Sequence, residues 1–152
     1  MRRIHNTASS KIDLTRTYGS SSHYKPRGLW YSIDDEWREW CQSGMPQWIK
    51  PNWFNLDLNM EGILVIQSVS DLLRFQKKYR TFEPYLQINW ESVKKDYRGI
   101  EIQNYYELKR FFNSSAGGFM DYMWLYGWDI NSGCIWDLSC VRSIQLINDQ
   151  YE

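Results

Sequence analysis

The 152-residue chain reads as a single α+β domain. Three observations predict that class. Short alternating or wholly apolar runs, the mark of strands, outnumber the stretches with helical spacing. The two kinds do not alternate regularly, as they would in a doubly wound parallel sheet. The length suits one ordinary domain with a real core, and no internal repeat or boundary breaks it.

In chain order, residues 1–11 are polar and unpatterned and predict a flexible N-terminal arm, with the domain proper over 12–152. Ile12–Tyr18 alternates and predicts a first strand, and the hydroxyl-rich Gly19–Tyr24 a loop. Pro26 and Gly28 prepare a short strand ending at Ser32. Ser32 and Asp35 fit a capping box, and Trp37, Trp40 and Cys41 recur at helical spacing over Asp34–Gln42. A Pro-bounded loop follows. Phe54, Leu56, Leu58 and Met60 alternate with polar residues, a half-buried strand, and Glu61-Gly62 turns into the apolar Ile63–Ile66, which suits a central strand.

Ser68 and Asp71 make a second capping box. Leu72, Leu73, Phe75 and Tyr79 form the buried face of a helix ending at Lys77-Lys78, where cations suit the helix dipole. Trp90–Asp96 predicts a short helix, Tyr97–Ile102 a strand and Tyr105–Phe112 another helix. Trp124, Tyr126 and Trp128 have period two and predict a strand; Asn131-Ser132-Gly133 supplies a turn into a strand Cys134–Trp136. Val141–Ile147 is the last strand.

Lys plus Arg and Asp plus Glu both number 18, so no general field draws the chain to nucleic acid or membrane. No apolar run could span a bilayer, and Met1–His5 lacks a secretory apolar core. Cys41, Cys134 and Cys140 are an odd count without metal-type pairing. Reduced thiols in the cytoplasm are the expectation. His5 and His23 stand far apart, so no metal site is expected. No phosphate-cradling glycine loop, dinucleotide fingerprint or nucleophile elbow is present.

Nine Trp and eleven Tyr exceed what one core needs. Such residues at a surface line a ligand pocket or a protein interface. Stacking of single-stranded nucleic acid is not favoured without a basic excess. Asp129 falls where the aromatic strand meets its turn, walled by indoles. A carboxylate there acts on a ligand's positive charge in a weakened dielectric. Glu101, between Ile100 and Ile102, faces the other side of its strand, either solvent or cleft. Cys134 reads as a small buried hydrophobe and Asp137 as a turn acid.

Three segments occur as a set: Lys25-Pro-Arg-Gly-Leu-Trp-Tyr-Ser32, Tyr97-Arg-Gly-Ile-Glu-Ile102 and Trp128-Asp-Ile-Asn-Ser-Gly-Cys-Ile-Trp-Asp137. With Phe54–Tyr79 between the first two, the chain resembles small phage and bacterial proteins that are in turn similar to the ADP-ribosyltransferase fold, small phage anti-defence transferases among them. The resemblance covers about residues 12–147. It implies split mixed and antiparallel sheets with flanking helices, and NAD as substrate.

That superfamily has a first-strand Arg or His gripping NAD, then a Gly-containing strand ending in a hydroxyl or aromatic, then a late acidic residue. By this resemblance Arg16 with Thr15 would grip the cofactor, His23 being the competing candidate. Gly28, Leu29 and Trp30 would pair with the nicotinamide carboxamide, Tyr31 and Ser32 would follow them, and Tyr31 or Trp37 would stack on the ring. Asp129 would be the catalytic acid. The chain departs from the pattern in lacking the late Glu-x-Glu or Gln-x-Glu pair and the first-strand histidine-glycine pair, and in having Asp for Glu.

The implied activity is mono-ADP-ribosyl transfer to a macromolecule, a host protein being the expected partner. The alternatives are a degraded site serving as a binding module that inhibits a host protein, and an NAD glycohydrolase.

Overall fold

A computed structural model describes residues 1–19, 25–81, 87–114 and 123–151. It is α+β: a mixed seven-stranded sheet carries helices, and a two-stranded ribbon stands apart. The sheet runs β4 (Ile63–Ile66), β7 (Gly99–Ile102), β8 (Ser132–Ile135), β2 (Leu29–Ile33), β1 (Arg3–Thr7), β3 (Asn52–Leu58), β9 (Val141–Leu146). Among the described residues, only β4 and β7 pair in parallel. The connection between them carries α2 (Val69–Tyr79), the ribbon β5 (Arg80–Thr81) and β6 (Gln87–Ile88), and α3 (Trp90–Asp96). The remaining helices are α1 (Glu36–Gly44) and α4 (Tyr105–Ser114). No helix among the described residues is long and apolar enough to cross a membrane.

The start of the chain departs most from expectation. Residues 3–7 of the expected arm form β1, which lies between β2 and β3 in the interior of the sheet. The expected first strand over 12–18 is absent. Asp13 explains why: its Oδ1 accepts from the Thr15 amide at 2.9 Å and the Thr15 hydroxyl at 2.6 Å. That local turn takes the backbone donor a ladder would need.

Elsewhere the pattern holds in part. Ser68 caps α2, accepting from the Asp71 amide at 3.1 Å. On α2 the buried set is Leu72, Phe75, Gln76 and Tyr79, while Leu73 is exposed. Gln76 takes the inner place because its Oε1 accepts from the buried Trp124 indole at 2.9 Å. Ser32 lies within β2 and caps nothing, and α1 begins after Asp35 without a side-chain cap. The Ile63–Ile66 strand is an edge strand rather than a central one.

The expected aromatic strand over 124–128 is instead a 3-10 turn, Met123–Trp128. Trp124, Leu125 and Trp128 are its buried members, a one-sided set that a helical turn produces and a strand does not. Ser132 and Gly133, read as turn residues, open β8. Gly133 is required there because a Cβ would stand 2.3 Å from the Tyr31 hydroxyl, whose ring crosses it.

One core packs α2, α3, α4 and the 3-10 turn against Ile66, Ile100, Ile102 and Cys134. A second, on the other face, joins Leu29, Tyr31, Ile33, Leu56 and Ile135. A third unites Ile4, Trp53 and Ile147.

Candidate functional site

The strands β1 and β2 pair at Arg3 with Ile33 and at Ile4 with Ser32. Beyond that, the Trp30 carbonyl is met by the His5 imidazole, Nδ1 lying 2.6 Å from the oxygen. A carbonyl only accepts, so Nδ1 carries the proton and Nε2 is the acceptor of a neutral ring. Burial is the main influence on His5 and lowers its pKa, against the opposing pull of the Trp30 carbonyl.

At this point a cavity of about 310 Å³ opens. His5, Asn6, Trp30, Tyr31, Ser32, Trp37, Trp48, Trp128 and Asp129 line it, with Lys25 and Lys50. Among the described residues, Asp129 is its only carboxylate.

Asp129 follows the 3-10 turn with φ +61°, a left-handed conformation that Asp and Asn tolerate better than most residues. The next residues pin it. Asn131 gives its carbonyl to the Ile33 amide at 3.0 Å and its Oδ1 to the Tyr105 amide at 2.7 Å. Its amide nitrogen donates to Glu36 at 3.2 Å. One side chain thus ties the Asp129 turn to α4 and α1. Ser132 adds a hydroxyl bond to the Ile130 carbonyl at 3.0 Å, and the Trp128 indole donates to the Ser132 carbonyl at 3.0 Å.

Burial raises the pKa of Asp129 above the ordinary carboxylate value, although Lys25 and Lys109 pull it down. Burial also pushes the neighbouring Tyr105 up to about 12, with the Asp129 charge as the next cause. The Lys25 ammonium lies 5.3 Å from the Trp30 ring centroid. Gly127 makes room for its stem, since a Cβ there would meet Lys25 Cε at 2.4 Å. Trp30 meets Trp128 edge-on at 4.9 Å. The result is a carboxylate in an indole-walled hollow.

Trp30, Tyr31, Ser32, Trp37 and Asp129 therefore share one cavity. Thr15 and Arg16 do not line it; both are exposed, with Arg16 over the Tyr18 ring at 4.9 Å. Leu29 is buried in the second core, and Gly28 packs so tightly on β8 that a Cβ would meet the Ile135 carbonyl at 2.5 Å. His23 lies outside the described residues. Cys134 is buried and its thiol pKa is raised by burial, as suits a packing residue.

His5, Asn6, Trp48, Lys50 and Ser132 are lining residues that sequence reasoning missed. A strand of Arg-Ile-His-Asn-Thr with only Ile4 buried gives a weak apolar signal. His5 is bonded to the Trp30 carbonyl and Asn6 to the backbone of Lys50 and Asn52, so neither gives the apolar alternation of a strand.

Compared with family models, curated proteins and solved structures, the chain matches none.

Proposed function

We propose that the cavity binds NAD and promotes cleavage of its nicotinamide–ribose bond, with ADP-ribose passing to a macromolecular acceptor such as a host protein. The observation that carries this reading is Asp129, the only carboxylate among the described residues of a cavity walled by Trp30, Trp37, Trp48 and Trp128. Oxidised nicotinamide is a planar cation, and indole faces with one carboxylate favour such a ring.

In the cleavage, the bonding electron pair leaves with nicotinamide and positive charge develops on the ribose. An acceptor oxygen or nitrogen closes on that carbon and gives up its proton to solvent. The leaving group is already cationic and needs no acid, so Asp129 acts by stabilising the developing charge. His5 Nε2 is an acceptor suited to a ribose hydroxyl. His5 on β1, Trp30 and Ser32 on β2 and Asp129 before β8 fit the superfamily order of first-strand His, aromatic or hydroxyl strand and late acid. This replaces Arg16 as the first-strand residue.

The test is release of nicotinamide, and transfer of labelled ADP-ribose in a host lysate, by the wild type and Asp129→Asn. The wild type is expected to be active, and the variant to lose at least a hundredfold, of the order that one removed electrostatic stabiliser costs. Equal rates would overturn the assignment. Release without transfer would make the protein an NAD glycohydrolase. A second reading, a binding module, is favoured by the exposure of Trp48 at 45 %. It predicts no binding of NAD at all.

A further inference from the structure

Two opposite charges share the cavity without pairing. The stem of Lys25 lies over Gly127, where a Cβ would meet its Cε at 2.4 Å, and Gly127 stands two residues before Asp129. From there the ammonium reaches the Trp30 ring, 5.3 Å from its centroid, and Trp30 in turn meets Trp128 edge-on. Lys25 is thus held beside the turn that carries Asp129, and both residues line the hollow. Its charge is felt at the carboxylate, where it is the leading influence opposing burial. Yet among the described residues no ion pair joins Lys25 to Asp129 or to any other carboxylate.

An ammonium carries three donors and no acceptor. Contact with an indole engages its charge and leaves those donors for water or a ligand. A carboxylate and an ammonium that stand close but unpaired suit a ligand bearing the complementary charges, one on each. The nicotinamide half of NAD is such a unit, with a flat cationic ring and a phosphate joined by one ribose. A nucleoside without the phosphate would leave the ammonium without an anion.

We infer that Lys25 binds the phosphate next to the nicotinamide ribose while Asp129 serves the cationic nucleoside, so that the cavity selects the zwitterionic mononucleotide unit. This rests on the nucleotide reading of the cavity and adds the residue that recognises the phosphate. Calorimetric titrations with nicotinamide mononucleotide and nicotinamide riboside, which differ only in the phosphate, test it in the wild type, Lys25→Met, Lys25→Arg and Asp129→Asn. The wild type is expected to bind the mononucleotide about tenfold more tightly than the riboside, the low end of what a charge-assisted hydrogen bond contributes, because Lys25 is exposed. Lys25→Met keeps the stem over Gly127 and should remove that preference. It should leave the riboside bound no more weakly, since it takes a cation away from a cationic ring. Lys25→Arg should keep most of the preference, and Asp129→Asn should weaken both ligands by a similar factor.

Equal wild-type affinity for the two ligands would overturn the assignment and leave the reading of Asp129 intact. So would a preference that survives Lys25→Met, the result expected if Lys50 held the phosphate. Equal weakening of both ligands by Lys25→Met would overturn it as well, making Lys25 a wall of the cavity. A wild type that binds neither would remove both proposals.

Discussion

Glu101 has no exposed surface, and four donors converge on its carboxylate. Arg3 approaches with Nε at 2.6 Å from Oε1 and Nη2 at 3.2 Å from Oε2. The Tyr31 hydroxyl donates to Oε1 at 3.0 Å and Gln103 to Oε2 at 2.6 Å. Burial and the Glu101 charge hold the Tyr31 phenol well above its usual pKa, so it stays a donor. The bonds close a ring: Arg3 leads along β1 to His5, His5 meets Trp30, Trp30 adjoins Tyr31, and Tyr31 returns to Glu101. Glu101→Gln keeps the volume but leaves the Arg3 charge facing a neutral amide. It is expected to cost about 3 kcal/mol in denaturant unfolding. A double Met substitution of Arg3 and Glu101 should recover much of that loss, because it removes both charges together.

Asp129 has the opposite sign of effect on stability. Its folded pKa lies above the free value, so folding favours the protonated form. Its contribution is complete below the free value and is lost as pH rises through the folded one. At neutral pH its charge therefore opposes folding, and Asn also accepts φ +61°. Asp129→Asn should unfold at a denaturant midpoint no lower than the wild type. Lost activity in that variant would then be chemical rather than structural.

At the scale of elements, β1 matters most, because it stands between β2 and β3 and carries His5. A chain lacking residues 1–7 is expected to lose the cooperative unfolding transition and to be cleaved rapidly by protease. A dispensable arm would leave both unchanged. Helices were legible wherever a cap coincided with a one-sided apolar stripe, as at Ser68 with Leu72, Phe75 and Tyr79, or at Trp90–Asp96.

β1 is missed in the sequence, and β8 is read two residues late, from Cys134 instead of Ser132. In β1, His5 and Asn6 spend their side chains on backbone groups of Trp30, Lys50 and Asn52, so the apolar alternation of a strand is missing. In β8, Gly133 occupies a strand position because Tyr31 must pass over it toward Glu101. The misread strand over 124–128 shows the converse. Alternating aromatics satisfied period two, but packing on both α2 and α3 chose a helical turn, with Trp124 in contact with Phe75 and Trp90. Asp129 and its neighbours were legible as a carboxylate among indoles. That Trp48 and Lys50 join them depends on contacts far apart in sequence.

At the scale of the molecule, the helices α2, α3 and α4 pack on the sheet, and the cavity is lined from β1, β2, α1 and the Asp129 turn. The lining from β1, β2 and the Asp129 turn is tied together by Asn131, Glu101 and His5. Asp129 and Ser32 line this one cavity together. The direct measurement is a calorimetric titration with NAD across about pH 4 to 8. Tyr105 stays neutral over that range, and the two lining groups shifted by burial are Asp129, upward, and His5, downward. The expected result is binding that weakens with acid below a midpoint above the ordinary Asp value, with the Asp129 step missing in Asp129→Asn. Wild-type binding that is absent, or that follows the same pH profile in both proteins, would contradict the central role of that carboxylate.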